Sequence, residues 1–335
     1  MTNQASKTVS NPRVAIIGAG LMGGWHSDAV RHVGGTVSAV VDSSPPRAAQ
    51  FIRKYPKAQA ARDLAEVIAK DLADIVHICT PAETHARLVQ QAVEAGLHTL
   101  VEKPLAESAE STSRLLQLAE SKRVILCPVH QFLFQPGVLR IQTALEKIGL
   151  LLHLDTVICS AGAEREAQDP DVVVADILPG PLSLLARFAG SPIQNAEWHV
   201  EHPAQGELRA SATIEKVSVS MLVSMRGRPT INAMRLICQR GTAHANLFHG
   251  FAILERGGTS RARKLTHPFA QGSSTLFSAT TNLLTRASRS ESAYPGLREL
   301  IRRFYEAVRT DDPPPISAAE TVQVALVRDQ ILGKY

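Results

Sequence analysis

The strongest constraint on the fold of this chain is a glycine-rich turn between a short apolar run and a helical segment. The run RVAII ends at Ile17 and is nearly all apolar, as expected for a strand that is buried on both faces. It leads directly into GAGLMG, a GxGxxG pattern over residues 18–23. In this pattern Gly18 makes a tight turn, Gly20 lets the backbone approach a pyrophosphate, and Gly23 lets the helix pack close to the strand.

The segments that follow the glycines complete the context of a dinucleotide site. Leu21 and Met22 open the helix, whose free N–H groups and positive dipole end attract phosphates. The next strand, VSAVVD, ends in Asp42, which lies 24 residues beyond Gly18. A carboxylate at that place accepts hydrogen bonds from an adenosine ribose. The alternative for Asp42 is a turn or cap residue before the helix that begins at Pro45.

The charge of Asp42 bears on the choice of nicotinamide cofactor. A carboxylate there repels the 2′-phosphate of NADP(H), so the sequence favours NAD(H). Arg47 follows closely, and its charge would weaken that preference. The sequence therefore predicts a site for NAD(H), with NADP(H) as a possible alternative.

Strand-like and helical segments alternate up to residue 129, in the manner of repeated βα units. Such units predict a parallel, doubly wound sheet, and in such sheets ligands bind at the carboxyl ends of the strands. Three loop segments should therefore meet at one edge: 18–23, Thr80–Pro81 and Glu102–Pro104. Further strands are predicted at 73–80, 97–104 and 123–129, and helices at 46–55, 63–70, 83–96 and 107–122.

The composition is that of a globular protein with reduced, buried thiols. The 335 residues are 44% hydrophobic and 20% charged, which is enough for two ordinary domains. The four cysteines lie singly in apolar runs and form no CxxC pair, so neither a disulfide framework nor a metal site is expected. Aromatic residues are only 4% and the basic residues are scattered, which argues against a nucleic-acid partner. With no apolar leader or membrane-length run, we expect a cytoplasmic protein without a membrane partner.

Lys103 follows an apolar strand at the edge where the three loops should meet. An ammonium group there would lie near the nicotinamide end of a bound cofactor. It could hydrogen-bond a substrate oxygen or nitrogen, orient the nicotinamide, or join a proton relay. The alternative is a surface lysine paired with Glu102, and the residues alone leave the two open.

Four stretches of the chain carry a resemblance to a known family. VAIIGAGLMGGWH, VVD, ICTPAETHARLVQQAVEAGLHTLVEKPLA and YPGLRELIRRFYEAV resemble the glucose–fructose oxidoreductase/inositol dehydrogenase (Gfo/Idh/MocA) family, in most detail over residues 13–130. The resemblance implies that Lys103 is the lysine of the family's EKP motif, close to both nicotinamide and substrate. It also implies that Thr80, Pro81 and His85 line the cofactor cleft, with Glu102 beside them.

The resemblance also implies an architecture. The fold class is α/β, with an NAD(P)-binding Rossmann domain of doubly wound parallel sheet over residues 13–130, after a disordered tail at 1–12. An α+β domain over 131–295 would follow, with a large, mostly antiparallel sheet for substrate binding and for homodimer or homotetramer contacts. Alternating residues predict its strands within 207–227 and 230–258. The Ser/Thr/Arg-rich residues 259–292 are interpreted as a loop or lid, and 296–335 as helices that pack back on the N-terminal domain.

One departure from the family concerns the acid/base histidine. In the family, a helix that enters the cleft carries a D-x-G-x-H-x-x-D pattern, whose histidine is the partner of the EKP lysine. DILPGPLSLLARFAG keeps the first aspartate as Asp176, but Gly180 stands at the histidine position, and Leu178 and Ser183 replace the other two residues. The resemblance implies that Asp176 orients Lys103 or anchors the substrate, and a helix cap is the alternative.

A second departure lies after the last strand of the nucleotide domain. Family members with polyol substrates carry an N-R-R-F-like run there, whereas this chain has Gln131 at the asparagine position and Phe132-Leu133 at the arginine positions. The change predicts a more apolar pocket and makes a small sugar a poorer candidate. His130 leaves the strand at the ligand edge and is the candidate replacement proton donor; a partly buried structural histidine is the alternative.

The sequence leaves three functions open. The first is an NAD(P)-dependent oxidoreductase that transfers hydride between nicotinamide and a C=O or C=N group of a small, relatively apolar substrate. A protonated imine would suit a site without the histidine, because it needs less acid assistance than a ketone. The second is a sugar or polyol dehydrogenase with another proton donor. The third is an inactive nucleotide-binding scaffold or sensor, and the intact glycine pattern, Asp42 and EKP motif argue against it.

Overall fold

The structure of the chain, a computed structural model, describes residues 11–160, 169–257, 261–291 and 293–333, without the side chains of 261–264. Residues 1–10 of the expected disordered tail lie outside this range. The chain divides into two compact units. The first comprises the residues up to His130 together with Leu297–Ala325, and the second comprises Gln131–Gly296 and the residues from Leu326 onward.

The described residues of the first unit include a six-stranded sheet in which every pair of neighbours is parallel. Its strand order is β3-β2-β1-β4-β5-β6, which reverses direction between β1 and β4 and so defines a doubly wound sheet. The predicted Rossmann domain is therefore confirmed. The strands are β1 (Arg13–Ile17), β2 (Thr36–Val41), β3 (Gln59–Ala61), β4 (Ile75–Ile78), β5 (His98–Val101) and β6 (Leu126–Pro128).

Helices alternate with these strands as the sequence predicts. Two of them begin where the sequence places a capping side chain: Asp63 accepts a hydrogen bond from the backbone N–H of Glu66, and Ser108 accepts one from Ser111. Both caps satisfy N–H groups that the first helical turn leaves without partners. The helices are α1 (Leu21–His32), α2 (Pro45–Ile52), α3 (Leu64–Ala69), α4 (His85–Glu94) and α5 (Ala109–Lys122).

The second unit contains a seven-stranded sheet in the residues that the structure describes, with the order β13-β12-β11-β7-β10-β9-β8. Within that sheet β7 and β10 are parallel, and the other neighbours are antiparallel. This confirms the prediction of a large, mostly antiparallel sheet. The strands are β7 (Leu151–Cys159), β8 (His199–Glu201), β9 (Glu207–Ile214), β10 (Val217–Ser224), β11 (Ile231–Cys238), β12 (Gly241–Asn246) and β13 (Phe251–Arg256).

Four helices are described in the second unit: α6 (Pro136–Ile148), α7 (Pro170–Ile177), α8 (Pro179–Phe188) and α9 (Arg261–Ser288). The last of these corrects the prediction of a loop over 259–292, since 28 of those residues form one helix. Residues 259, 260 and 292 of that prediction lie outside the described residues. Pro268, Gly272 and many Ser/Thr residues give this segment a low helix propensity, which is why its sequence indicates a loop.

Tertiary contacts account for the helix that propensity argues against. The ring nitrogen Nε2 of His267 lies 3.4 Å from Oε2 of Glu255, at the end of β13. The side-chain amide of Asn282 donates to the carbonyl oxygen of His249 at 2.9 Å, and the guanidinium of Arg286 donates to the same oxygen at 3.1 Å. One face of α9 is thus fixed to the region around β13.

Two helices end the chain: α10 (Leu297–Thr310) and α11 (Ala318–Leu332). α10 belongs to the first unit, where Arg298 forms a 2.7 Å ion pair with Asp28 of α1. α11 is divided between the two units after Ala325. In the part of the chain that the structure describes, no helix combines the length and the apolar character that a membrane span requires.

Candidate functional site

Backbone hydrogen bonds extend the parallel sheet of the first unit by one residue beyond its strands. In each bond, the first residue after one strand donates to the last residue of a neighbouring strand, over 2.7–2.9 Å. The four donors are Gly18, Cys79, Glu102 and Val129, and the four acceptors are Val41, Ile17, Ile78 and Val101. The residues one position further along, among them Thr80, Lys103 and His130, therefore begin their loops at the same edge. The structure thus brings the three predicted loop segments together.

Each glycine of the GxGxxG turn has the geometry that its predicted role needs. Gly18 has a φ of +102°, and a Cβ there would lie 2.7 Å from the carbonyl oxygen of Cys79. A Cβ on Gly23 would overlap the carbonyl oxygen of Gly18, so the start of α1 packs directly against the turn. At Gly20, by contrast, a Cβ would meet nothing within 4 Å. The space above Gly20 is the cradle that a pyrophosphate requires.

The start of α1 has the chemistry of a phosphate site. Gly20 is its N-cap residue and supplies no capping side chain, and no acidic residue lies in the first turn. Leu21 is largely exposed and Met22 is half-buried beside it. The first N–H groups of α1 and its positive dipole end are therefore available to an anion. The residues present fit the pyrophosphate of a dinucleotide.

Asp42 has a second role beside the predicted one. Its two carboxylate oxygens accept hydrogen bonds from the backbone N–H groups of Ala19 and Ser44, both at 2.8 Å. Nη1 of Arg47 lies 3.6 Å from Oδ2 of Asp42. The carboxylate thus braces the glycine turn against the start of the next helix, as a turn residue does. Each of its oxygens keeps a lone pair, so binding of a ribose stays a prediction.

His85 is buried and joins two of the loops rather than standing free at their surface. Its Nδ1 lies 2.7 Å from the carbonyl oxygen of Pro104, and its Nε2 lies 2.8 Å from that of Thr80. Both partners are acceptors, so the ring satisfies both only when both nitrogens carry a proton. His85 therefore fixes the loop after β4 to the loop after β5, and the segment that contains Lys103 is held on both sides.

Glu102 points into the protein. It is buried, and its Oε1 lies 3.0 Å from Nε2 of His26, a buried residue of α1. Nδ1 of His26 lies 3.0 Å from Nδ1 of His77 in the middle of β4. Nε2 of His77 in turn lies 3.1 Å from the hydroxyl of Tyr305 on α10. Four buried polar side chains thus form one hydrogen-bonded chain that ends beside Lys103.

Two proton arrangements satisfy every member of this chain. In the first, Tyr305 donates to Nε2 of His77, the Nδ1–H of His77 donates to His26, and the Nε2–H of His26 donates to Glu102. In the second, His26 is an imidazolium that donates from both nitrogens, and His77 donates to the oxygen of Tyr305. In both arrangements Glu102 accepts a hydrogen bond from His26, and no member is left without a partner.

The titration of the chain follows from its burial. Burial alone would raise the pKa of the Glu102 carboxyl, but the hydrogen bond and charge of His26, with Lys103 and His85 nearby, hold that pKa below its ordinary value. Burial lowers the pKa of the His77 imidazole well below its ordinary range, and His26 adds to that effect. Burial also raises the pKa of the Tyr305 phenol well above its ordinary range. Glu102 is therefore a carboxylate and His77 a neutral ring.

The sequence contains a signal for this chain that its motifs do not use. His77 interrupts IVHI, a strand that is buried along its whole length. A polar ring in such a strand needs hydrogen-bond partners, because an unpaired buried group costs about 1–3 kcal/mol. The identity of the partners, His26 and Tyr305, depends on helices that lie 51 and 228 residues away along the chain.

The other two residues predicted for catalysis in the first unit differ in exposure. Lys103 is half-buried at the carboxyl edge, directly after the buried Glu102. His130 is only 4% exposed, and follows β6 at the same edge. Its burial fits the structural alternative as well as it fits a proton donor inside a closed site.

Asp176 belongs to the second unit and does not cap a helix. It is exposed and lies next to the last residue of α7, whose N-cap is Asp169; the side chain of Asp169 accepts a hydrogen bond from the backbone N–H of Asp171. The cap alternative for Asp176 is therefore wrong. A carboxylate near a helix C-terminus is also unfavourable for the helix dipole, so helix stability does not explain this residue.

Phe132 and Gly180, which mark the two departures from the family, are in contact with each other. A Cβ on Gly180 would lie 2.9 Å from Cε2 of Phe132 and 3.3 Å from its Cδ2. The aromatic ring thus covers the position where a longer side chain would leave α8. The two departures, read separately from the sequence, are one packing feature, because the ring is compatible only with glycine at this place.

The second unit contains a cavity of about 940 Å³ that the sequence does not predict as a whole. Its volume is typical of a small-molecule site. Much of the wall is apolar and aromatic, including Phe132, Leu247, Phe248, Tyr294 and Pro295. Gln131, Asn232, His249 and Arg286 add polar groups. Gln131 and Phe132 are the lining residues that sequence analysis singled out for the substrate pocket.

The loops at the carboxyl edge define a dinucleotide-binding domain of the Rossmann type, joined to a domain with a mostly antiparallel sheet. Residues 12–130 match the oxidoreductase family with an NAD-binding Rossmann fold (GFO_IDH_MocA). The first domain of this chain belongs to that family, and the resemblance seen in the sequence is confirmed.

Relatives of this domain include two inositol 2-dehydrogenases of Corynebacterium glutamicum. The protein of strain R is 38% identical over 110 residues, which cover 32% of this chain and 33% of the relative. The protein of a second strain is 29% identical over 219 residues, which cover 62% of this chain and 63% of the relative. The matches thus span less than two thirds of either relative.

The whole fold is similar to that of UDP-N-acetylglucosamine 3-dehydrogenase GnnA from Acidithiobacillus ferrooxidans. The two structures superpose with a TM-score of 0.75 at 18% identity, over 96% of this chain and 97% of the other. At this identity the likeness concerns the fold alone, and it includes the second domain that the family match does not reach.

We predict that His77→Gln flattens the dependence of stability on pH. Because folded His77 stays neutral while the unfolded side chain binds a proton below pH ~6.5, its contribution is complete above that pH and is lost as the pH falls. Wild-type protein should therefore lose about 1.4 kcal/mol per pH unit more than the variant below pH ~6.5. Urea unfolding between pH 7.5 and 5 measures both slopes.

The comparison isolates His77 because the other buried imidazoles are present in both proteins. Burial also lowers the pKa of His98 and of His244, so both proteins keep the slope that these residues cause. Equal slopes in the two proteins would contradict a neutral His77 in the folded state.

We predict that Gly180→Ala lowers the free energy of unfolding by about 1–3 kcal/mol, because the added Cβ overlaps the ring of Phe132. In a Phe132→Ala background the same change should cost less than 0.5 kcal/mol or so, since the ring is gone. A double-mutant cycle of chemical denaturation measures the coupling. Gly24→Ala, where a Cβ meets nothing within 4 Å, is the control, and independent effects at 132 and 180 would disprove the contact.

Proposed function

We propose that the protein is an NAD(P)-dependent oxidoreductase that transfers hydride between nicotinamide and a C=O or C=N group of a small, relatively apolar substrate. The observation that carries the proposal is the carboxyl edge of the first unit. There the open space above Gly20, the free start of α1 and the half-buried Lys103 meet, in a domain of a dehydrogenase family. When bound, the nicotinamide ring donates or accepts the hydride.

NAD(H) is the cofactor that the site favours. Asp42 is held at the end of β2 by two backbone N–H groups, so its charge is fixed near the place of the adenosine ribose. Its side chain is only 5% exposed, and that of Arg47 is 56% exposed. Arg47 already lies close to Asp42, which limits the compensation it offers to a 2′-phosphate.

Lys103 is the proposed catalytic residue. Its ammonium group has the donors to bind the oxygen or nitrogen of the reacting group, and to supply a proton there as the carbon accepts hydride. The loop that carries it is fixed by the hydrogen bonds of His85, and the residue before it by the hydrogen bond of Glu102 to His26. A lysine on a fixed loop loses little further freedom when substrate binds, which favours a defined geometry.

The packing of Phe132 on Gly180 supports a reaction that does not use the family's histidine. With an aromatic ring at this place, the chain offers Lys103, His130 and Asp176 as the remaining candidates for handling the proton and orienting the substrate. A protonated imine carries its proton already, so its reduction makes the smallest demand on these groups. Reduction of an apolar ketone with Lys103 as the donor follows closely.

The cavity of the second unit is the proposed site for the non-reacting part of the substrate. Its aromatic wall fits an apolar group, and its amide and guanidinium groups can fix an orientation. Arg286 already donates to the carbonyl oxygens of His249 and Glu291, so its charge is partly engaged. A cavity of this composition favours a substrate larger and less polar than an inositol ring.

We predict that NADH binds more tightly than NADPH, and that Asp42→Ala narrows the difference. Loss of the bracing hydrogen bonds should weaken both cofactors, but loss of the negative charge favours the 2′-phosphate alone. The ratio of the two dissociation constants should therefore fall about tenfold or more, equivalent to about 1.4 kcal/mol. Calorimetric titration of both proteins with both cofactors gives the ratio.

Gly20→Val is the control for the location of the cofactor. Its backbone is extended (φ −77°, ψ −162°) and a Cβ there meets nothing, so the variant should fold normally and lose affinity for both cofactors. If wild-type protein bound neither cofactor at millimolar concentration, the oxidoreductase proposal would fail and a scaffold would be the better explanation.

We predict that Lys103→Met reduces turnover at least 1,000-fold, within the range that a positioned acid or base contributes. The assay follows NADH absorbance in a screen of imines, apolar ketones and polyols. Arg123→Met, on the loop before β6 and away from the carboxyl edge, is the control for a lost cation. Turnover near the wild-type rate in the lysine variant would remove Lys103 from the mechanism, provided that NADH affinity and thermal stability are unchanged.

A further inference from the structure

An apolar stripe runs along the outer side of α9, on the helix where the sequence indicates a loop. Six large side chains of this helix are between 65% and 81% exposed. At 100° per residue they fall within an arc of about 120°, so they form one continuous face. This stripe consists of Leu265, Phe269, Leu276, Phe277, Leu283 and Leu284.

No charged side chain belongs to the described part of this stripe. The residues between its large members are small or uncharged: Thr266, Gly272, Ser273 and Thr280. The ionisable residues from Leu265 to Ser288 are His267 and Arg286, and they are bound to Glu255 and to the carbonyl oxygens of His249 and Glu291. The exposed apolar surface therefore has no charge that would keep it in water.

We propose that the stripe on α9 is the contact surface for a second copy of this chain, in which two α9 helices pack antiparallel about a two-fold axis. A phenylalanine side chain buries roughly 150–250 Å², and leucine somewhat less. At these exposures the six side chains offer on the order of 800 Å², which is the share that one partner contributes to a stable interface of ordinary size. A monomer rarely leaves so large an apolar patch open.

The spacing of large and small residues fits a second copy of the same helix. An antiparallel pairing centred between residues 274 and 275 sets a small residue of one copy opposite most of the large residues of the other. Complementary faces of this kind close a two-fold interface, because each contact occurs twice. The opposed pairs are Phe277 with Gly272, Leu276 with Ser273, Phe269 with Thr280, Leu283 with Thr266, and Leu265 with Leu284.

The same features argue against the other occupants of such a face. A helix that lies on a membrane carries Lys or Arg on its polar side, but the polar side of α9 presents Thr275, Ser278 and Asn282, which are half-buried or buried against the unit. The sheet of this unit is a poorer candidate for apolar contact, since its outer positions include the ion pair of Arg235 with Asp155. A sheet contact between copies, as the family resemblance implies, would be a second interface beside the one on α9.

Sedimentation velocity of the full chain tests the proposal. Wild-type protein should be a dimer or a larger even assembly, and Leu276→Glu/Phe277→Glu should raise the dissociation constant of the α9 contact about 100-fold or more, since it buries unpaired charges. Leu150→Glu is the control, because Leu150 is 70% exposed in the same unit but lies outside the stripe. Thermal unfolding followed by circular dichroism shows that the variants keep their fold.

Cysteine cross-linking tests the direction of the pairing. In the antiparallel arrangement, the two copies of residue 273 lie about 4.5 Å apart along the helix axis, whereas those of residue 266 lie about 25 Å apart. Ser273→Cys should therefore form a disulfide-linked dimer under mild oxidation, and Thr266→Cys should not. Equal cross-linking at both positions would indicate parallel helices and overturn the proposed arrangement.

Other outcomes overturn the proposal as a whole. A wild-type monomer at micromolar concentration, or assemblies unchanged by the two glutamates, would show that the stripe does not join two copies. Binding of wild-type protein to vesicles of phosphatidylcholine and phosphatidylserine, lost in the glutamate variant while the assembly persists, would assign the stripe to a membrane surface. These experiments use no cofactor or substrate, so their result is independent of the proposed reaction.

Discussion

The row of backbone hydrogen bonds just beyond the parallel strands is the constraint on which the candidate site depends. It joins loops that are far apart in the sequence, and the close approach of Gly18 to the carbonyl of Cys79 leaves no room for any other residue at that turn. The open space above Gly20, the start of α1 and the loop of Lys103 inherit their positions from this row. His85 then fixes two of the loops to each other through carbonyl oxygens. The site is thus built mainly from backbone, with few side chains free to move.

Much of the first domain could be predicted from its sequence, because its signals are local. Continuous apolar runs mark strands that are buried on both faces, and Asp63 and Ser108 cap helices where the pattern places them. Site residues were harder, since a motif gives the place of a residue along the chain but not the direction of its side chain. Glu102 turns inward to His26, and Asp42 spends two hydrogen bonds on the backbone around it. These residues support the cleft that the resemblance assigns them to line.

The second domain was predicted less well, because its decisive contacts join distant segments. Propensity argues for a loop where α9 forms, and contacts around β13 outweigh it. The packing of Phe132 on Gly180 could not be found by considering the two positions separately, 48 residues apart. It explains why the residue expected at the family's histidine position is absent. The cavity of this unit is likewise assembled from segments that no single motif connects.

The interrupted course of the first unit has a consequence for the protein during its synthesis. The buried ring of His77 finds its hydroxyl partner on α10, and 228 residues separate the two along the chain. At a translation rate of 5–20 residues per second, the interval between them is roughly 10–50 s. Through that time the six-stranded sheet is complete, yet its interior holds an imidazole without its final partner and an apolar surface that α10 has not yet covered. The nascent domain must therefore wait for the entire second unit to emerge from the ribosome, and this interval is when a chaperone would have the most to protect.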